Sequence, residues 1–221
     1  MIPLRDTIPS RRFPFVNLGL IALNCVCFLF EVSLGDDLAS FIETFGLVPA
    51  RFDLLSAAGV MPLFSSMFLH SGWLHLLGNM LFLYIFGDNV EDRLGHVRYL
   101  FFYLLSGAAA GLAQAYSMAD SVVPMIGASG AIAGVSGAYF LFFPTARVVT
   151  LVPIFFFIQI VEIPAVVFLF LWFLMQVFYG VAAGSGQHGM GGVAWWAHVG
   201  GFVFGMISAP LLAPRRRLVR W

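Results

Sequence analysis

Apolar residues run through this chain in long blocks, and strongly polar side chains fall between the blocks or at isolated positions inside them. Six blocks are long enough to cross a bilayer, which takes about 20 helical residues. They run from Val16 to Leu34, Gly72 to Asn89, Val97 to Ser117, Met125 to Phe143, Pro164 to Ala183 and Gly192 to Leu212. Two further apolar stretches are ambiguous. Leu54 to Leu69 follows Asp53 and contains Pro62, and Val148 to Ile160 contains Pro153 and is short. Both fit interfacial or re-entrant segments better than spans.

Composition supports the same picture. The 221 residues are 61% hydrophobic and 10% charged, against about 25% charged in a soluble domain. This excludes a water-soluble enzyme, a nucleic-acid binder and a disordered protein, and makes the lipid bilayer the first partner. The predicted fold is an all-α membrane protein, six transmembrane helices in one compact bundle. Residues 1–221 are read as a single unit with a short N-terminal segment, 1–15, and a short basic tail, 213–221. Cys25 and Cys27, two apart in an apolar run, are packing residues rather than a disulfide. No small-residue cleavage site follows the first apolar block, so it is read as an uncleaved span.

Arginine placement orients the bundle. With the N-terminus in the cytoplasm and six alternating spans, ten arginines lie inside: Arg5, Arg11, Arg12, Arg93, Arg98, Arg147, Arg215, Arg216, Arg217 and Arg220. Only Arg51 falls outside, as the positive-inside rule demands. Both termini are then cytoplasmic. The absence of a targeting peptide and of an appended soluble domain suggests a prokaryotic plasma membrane. The glycine-dense stretch 184–192 becomes an outer loop, suited to capping a site.

A polar side chain in a membrane helix is costly unless paired, so each one is a functional candidate. His75 and Asn79 stand at i and i+4, on one helix face. Gly127-Ala128-Ser129-Gly130 opens the fourth span, and His198 lies in the sixth. These spans all enter from the outside, and at 1.5 Å per residue Asn79, Ser129 and His198 lie about 6–10 Å below the outer edge. Taken singly, such residues are ordinary interhelical polar contacts. Their common depth points to chemistry. A serine needs a base to become nucleophilic, and His198 is the natural one. Asn79, His75 and the Ser129 backbone N–H are candidate donors to an oxyanion. No carboxylate stands at this depth on the second, fourth and sixth spans, so a Ser-His dyad rather than a triad is implied. There is no His-Glu-x-x-His and no intramembrane aspartate pair. His70 and His75 lack the further ligand a metal would need. No metal and no cofactor are called for. Glu91, Asp92 and Arg93 read as a solvated turn with structural pairing. Small residues at helical spacing, Gly130, Ala133, Gly134 and Gly137 against Gly201, Gly205 and Ser208, would let the fourth and sixth spans pack closely.

These residues resemble the motifs of rhomboid-family intramembrane serine proteases. The likeness rests on His70-Ser71-Gly72-Trp73-Leu74-His75-Leu76-Leu77-Gly78-Asn79, on Gly87 to Gly95 with Glu91-Asp92-Arg93, on Gly127-Ala128-Ser129-Gly130, and on Ala197-His198-Val199-Gly200-Gly201 with Gly205. It runs from about Asn17 to Leu212. The resemblance implies cofactor-free cleavage of transmembrane protein substrates near their outer end. Ser129 would be the nucleophile and His198 the base, with His75 and Asn79 around the oxyanion. It also implies an outer loop, 35–71, partly in the membrane, and a gate and cap made by span 5 and residues 184–192. Two departures stand out. There is no Trp-Arg pair in the first outer loop, where Arg51 follows Ala50. Ala133 stands where some members carry a tyrosine that stacks on the base. An inactive relative that binds membrane clients is the alternative, although such relatives normally lack the serine or the histidine. A transporter would favour polar groups at the midplane instead.

Overall fold

The computed structural model describes residues 1–154, 157–184 and 192–214. Its elements in chain order are β1 (Ile2–Asp6), α1 (Phe15–Ser33), α2 (Leu38–Phe45), α3 (Ala57–Val60), α4 (Pro62–Ser65), α5 (Trp73–Leu94), α6 (His96–Ser117), α7 (Ser129–Phe142), β2 (Arg147–Ile154), β3 (Phe157–Pro164), α8 (Ala165–Gly184) and α9 (Trp195–Leu212). The six longest helices correspond one for one to the six apolar blocks. Of these, α1, α8 and α9 are long and apolar enough to cross a membrane by length and composition. At 22 residues each, α5 and α6 are about 33 Å long, with less apolar sequences. Large side chains such as Phe30, Leu77, Phe101, Phe178 and Leu211 lie exposed. The core instead collects Leu83, Phe86, Tyr99, Phe102, Tyr103 and Tyr139.

Three expectations need correction. The chain is mostly helical but not all-α. The described residues of the stretch Val148 to Ile160, read as interfacial or re-entrant, lie in the paired strands β2 and β3, and β1 adds a third strand in the order β1-β2-β3, all antiparallel. Their run of β-branched residues, Val148, Val149, Thr150 and Val152, suits a pleated surface. Pro153 is tolerated in the central strand because β1 pairs only with Val148 to Leu151, so the missing N–H faces no partner there. Second, the fourth span is not helical from Met125; α7 begins at Ser129. Third, Glu91 is not in a solvated turn. It is 1% exposed within α5, and its carboxylate accepts the N–H groups of Val16 and Asn17 at 3.0 and 2.7 Å. Pro14, at the N-cap of α1, makes no side-chain cap. Glu91 therefore supplies the missing acceptor from another helix.

Tight turns and close approaches set the remaining geometry. Gly95, the single residue between α5 and α6, has φ +84°, a conformation favouring glycine. Between α7 and α9 the contact is backbone to backbone. A Cβ on Gly201 would strike the carbonyl oxygen of Gly130, and one on Gly205 that of Gly134. A Cβ on Gly130 or Gly134 would instead strike Ala110 or Ser106 of α6. The small residues expected to form a two-helix seam thus serve three helices. Ser208 donates to its own helix, at Phe204 O.

The stretch between α1 and α5 folds as short helices and turns that bury Leu47, Val48, Leu63, Met67 and Leu69. It holds the strand-like approach to α7. Leu47 and Met125 exchange backbone hydrogen bonds, and Gly127 N–H donates to Ser66 O at 2.9 Å. Residues 185–191 of the glycine-dense loop and the tail arginines 215–217 and 220 lie outside the described residues.

Candidate active site

Ser129 is the first residue of α7. Its N–H therefore has no intrahelical acceptor, and it sits at the positive end of the helix dipole. His198 lies in the first turn of α9, one turn above Gly201. Because α7 and α9 touch backbone to backbone, the two side chains reach each other. Ser129 Oγ and His198 Nε2 are 2.7 Å apart, within hydrogen-bonding range for proton transfer.

Both residues line a cavity of about 570 Å³ together with Ser71, His75, Asn79 and Gly127. On α5, Asn79 is buried and its Nδ2 has no hydrogen-bond partner. An amide N–H at the wall of a cavity is free to donate to a group that enters it. His75 contributes a second donor. The Ser71 N–H can only donate, and it faces His75 Nδ1 at 3.4 Å, with Ser71 Oγ at 3.0 Å from the same atom. That makes Nδ1 an acceptor and leaves the proton of a neutral ring on Nε2. Gly127 explains why this end of the cavity is open. At φ +127° a Cβ there would lie 2.7 Å from His75 Nε2 and 3.6 Å from Asn79 Nδ2. Any other residue would fill the space both donors face.

A family model, the rhomboid domain, matches residues 57–215. That stretch covers most of the chain and contains every site residue above. The chain belongs to the rhomboid family. It is an integral membrane protein, and its relatives include proteases. It is 31% identical over 137 residues to the rhomboid protease AarA of Providencia stuartii, covering 56% of this chain and 49% of that one. It is 34% identical over 131 residues to the rhomboid protease GluP of Bacillus subtilis, covering 59% of this chain and 24% of that one. RHOMBOID-like protein 6, mitochondrial, of Arabidopsis thaliana is 38% identical over 76 residues, 34% of this chain and 24% of its own. The chain thus spans between about a quarter and a half of the length of these relatives.

Against the rhomboid motifs, all four expected residues line one cavity. His70 stands apart. Its backbone N–H donates to the Glu31 carboxylate at 3.1 and 3.2 Å, and its ring lies 5.1 Å from that of His75. Ala133 is fully buried, and the ring beside the histidine is that of Trp172 on α8, with centroids 5.8 Å apart and planes 33° from parallel. Arg51 pairs with Glu43 at 4.0 Å on the surface.

Sequence reading passed over Gln176. It is 4% exposed, and its Oε1 lies 2.8 Å from His198 Nδ1. The signal was present: an amide in the otherwise apolar run Ala165 to Gly184, one turn after Trp172, is expensive unless something binds it. Gln114 was missed in the same way; its Oε1 accepts the Ala197 N–H at 3.2 Å, capping the start of α9.

Proposed function

We propose that this chain is an intramembrane serine endopeptidase that hydrolyses peptide bonds of single-span membrane proteins near the outer membrane face. The observation that carries this reading is the 2.7 Å contact of Ser129 Oγ with His198 Nε2, made inside a cavity that also holds an unpaired amide donor.

Ser129 Oγ attacks the scissile carbonyl carbon while its proton passes to His198 Nε2. Negative charge builds on the carbonyl oxygen, where Asn79 Nδ2, His75 Nε2–H and the Ser129 N–H can donate to it. The tetrahedral species collapses, the C–N bond breaks, and the amine leaves with the proton from His198. Water then attacks the acyl-serine, giving its proton to His198 Nε2, and the carboxylic product departs as Ser129 recovers its hydrogen.

We read the bundle as six spans, with both termini cytoplasmic, in a prokaryotic plasma membrane. The length of α7 supports the depth of the site. Its 14 residues rise about 21 Å, short of a hydrocarbon core of about 30 Å, so a site at its first residue lies beneath the outer surface.

The test is a fluorophosphonate probe on the purified full chain in detergent, alongside mapping of cleavage products from single-span fusion proteins. Labelling of wild type but not of Ser129→Ala, with cuts near the outer end of the substrate span, is the expected result. No labelling of folded wild type, with client proteins still retained, would replace the protease by the client-binding alternative.

A further inference from the structure

We infer that Gln176 on α8 is a positioning residue that holds His198 in the one tautomer able to serve as base toward Ser129. The inference rests on the proteolytic reading and adds to the dyad a third group that touches neither substrate nor reacting atoms.

The polarity of the chain of hydrogen bonds is set by its far end. The backbone carbonyl of Trp172 can only accept, and Gln176 Nε2 lies 2.9 Å from it. The amide nitrogen therefore faces Trp172, and the amide oxygen faces His198. That oxygen can only accept as well, so at 2.8 Å the proton of a neutral imidazole must sit on Nδ1. Nε2 is then left with its lone pair directed at Ser129 Oγ, 2.7 Å away. The opposite tautomer would set two acceptors against each other at Nδ1. It would also place an N–H where the serine proton must go.

Geometry restricts the ring as well as its protons. Gln176 and Trp172 are one turn apart on α8, so one face of that helix presents an acceptor to Nδ1 and an indole beside the ring. Trp195 meets the imidazole edge-on, with centroids 6.2 Å apart. These contacts surround His198 where Ala133 provides none. A neutral amide also differs from a carboxylate. It fixes the tautomer without offering the imidazolium a charge, so its loss should cost less than the roughly 10⁴-fold in turnover attached to a triad carboxylate.

The experiment compares wild type, Gln176→Leu and Gln176→Glu, each as the full chain in detergent. Turnover is followed against pH on a fluorogenic transmembrane peptide, and histidine tautomers are read by ¹⁵N NMR. Leucine removes the acceptor while keeping an apolar helix. Its kcat should fall about ten- to a hundredfold with KM within about twofold, and the His198 signal should lose its pure Nδ1–H character. Glutamate restores an acceptor and adds a charge. Turnover should recover on the alkaline side, and the acidic limb of the profile should move to higher pH by about one unit or more. Among the described residues, the other titratable group lining the cavity is His75 on α5, and its NMR signal should stay in place. Unchanged kcat in Gln176→Leu, or an unmoved acidic limb in Gln176→Glu, would overturn the assignment. The tautomer measurement separates this from the proteolytic reading. A tautomer shift in a protein that takes no fluorophosphonate sinks the protease and keeps the positioning role. A labelled, active Gln176→Leu with an unaltered tautomer does the reverse.

Discussion

The two ends of the bundle treat buried polar groups in opposite ways. At the sheet end, Tyr139 OH and Asn89 Nδ2 donate to the Asp6 carboxylate, and Glu91 receives the N–H groups of Val16 and Asn17 and contacts His96. Asn17 in turn donates to Leu83 O and accepts from Tyr99 OH. No buried polar atom of Asp6, Asn17, Asn89, Glu91, Tyr99 or Tyr139 lacks a hydrogen bond. At the other end, Asn79 Nδ2 is buried without a protein partner. The unpaired groups elsewhere among the described residues include Ser106 and Ser136, neither of which lines the cavity. A saturated polar network is architecture, since it gains nothing from a ligand. A buried donor left open beside Ser129 is what the proposed chemistry needs, since it can bind a group that arrives later.

Substitutions at the two ends should therefore separate activity from stability. The largest effect belongs to Ser129→Ala and His198→Ala, each of which should remove measurable turnover while shifting the thermal midpoint by about 2 °C or less. Turnover assays and thermal unfolding on the same preparations check this, and a variant that cleaves substrate breaks the proposed chemistry.

Next comes Gly201→Leu. Its side chain would meet the Gly130 carbonyl, which is backbone and cannot rotate away. Overpacking costs about 1–3 kcal/mol, yet the displacement also parts Ser129 from His198, so activity should fall about a hundredfold or more. Val181→Leu, on the exposed face of α8, is the control and should stay near wild type. Near-normal turnover in Gly201→Leu would mean that the helix contact is not what brings the pair together.

Asn79→Ala should slow turnover by roughly ten- to a thousandfold, acting on kcat more than on KM, since other donors remain. It should leave the thermal midpoint unchanged or slightly raised, because an unpaired amide is removed. Loss of stability instead would move Asn79 into the class of structural groups.

Glu91→Ala should reverse that pattern. It strands two backbone N–H groups, at about 1–3 kcal/mol for each left unpaired, so the midpoint should drop by several degrees. Turnover per folded molecule should stay within about twofold, as active-site titration with the fluorophosphonate would measure.

The smallest effect concerns Asp6. Burial, opposed by the hydrogen bond from Tyr139 and reinforced by nearby Asp88, pushes its carboxyl up to about 6. A raised folded value means the folded state holds the proton more tightly than the unfolded chain. That contribution is present at low pH and is lost as pH rises from about 4 through 6. Asp6→Asn should flatten this part of the stability profile, by no more than about a degree or two in midpoint because the group is partly solvated. Thermal unfolding from pH 4 to 8 would show it, and a profile identical to wild type would remove Asp6 from the network's energetics.

Much of this was written in one dimension. Block length located six helices to within a few residues at most ends, because lipid offers no other partner for a long apolar backbone. Polar residues in apolar blocks made Ser129, His198, Asn79 and His75 candidates, because a polar group there is costly unless paired and these share one depth. Glycine positions foretold close helix contact, although not that α6 would share it. Other features depend on residues far apart in sequence and left no local period to read. In the sheet, β1 and β2 pair residues 2–6 with 148–151. The true start of α7 is set by Leu47 and Ser66 holding Met125 and Gly127. The proton on His198 is directed by an amide 22 residues away on another helix. Composition reports what each residue prefers to touch. Which partner it meets, and therefore which nitrogen carries a proton, is decided only when the helices pack.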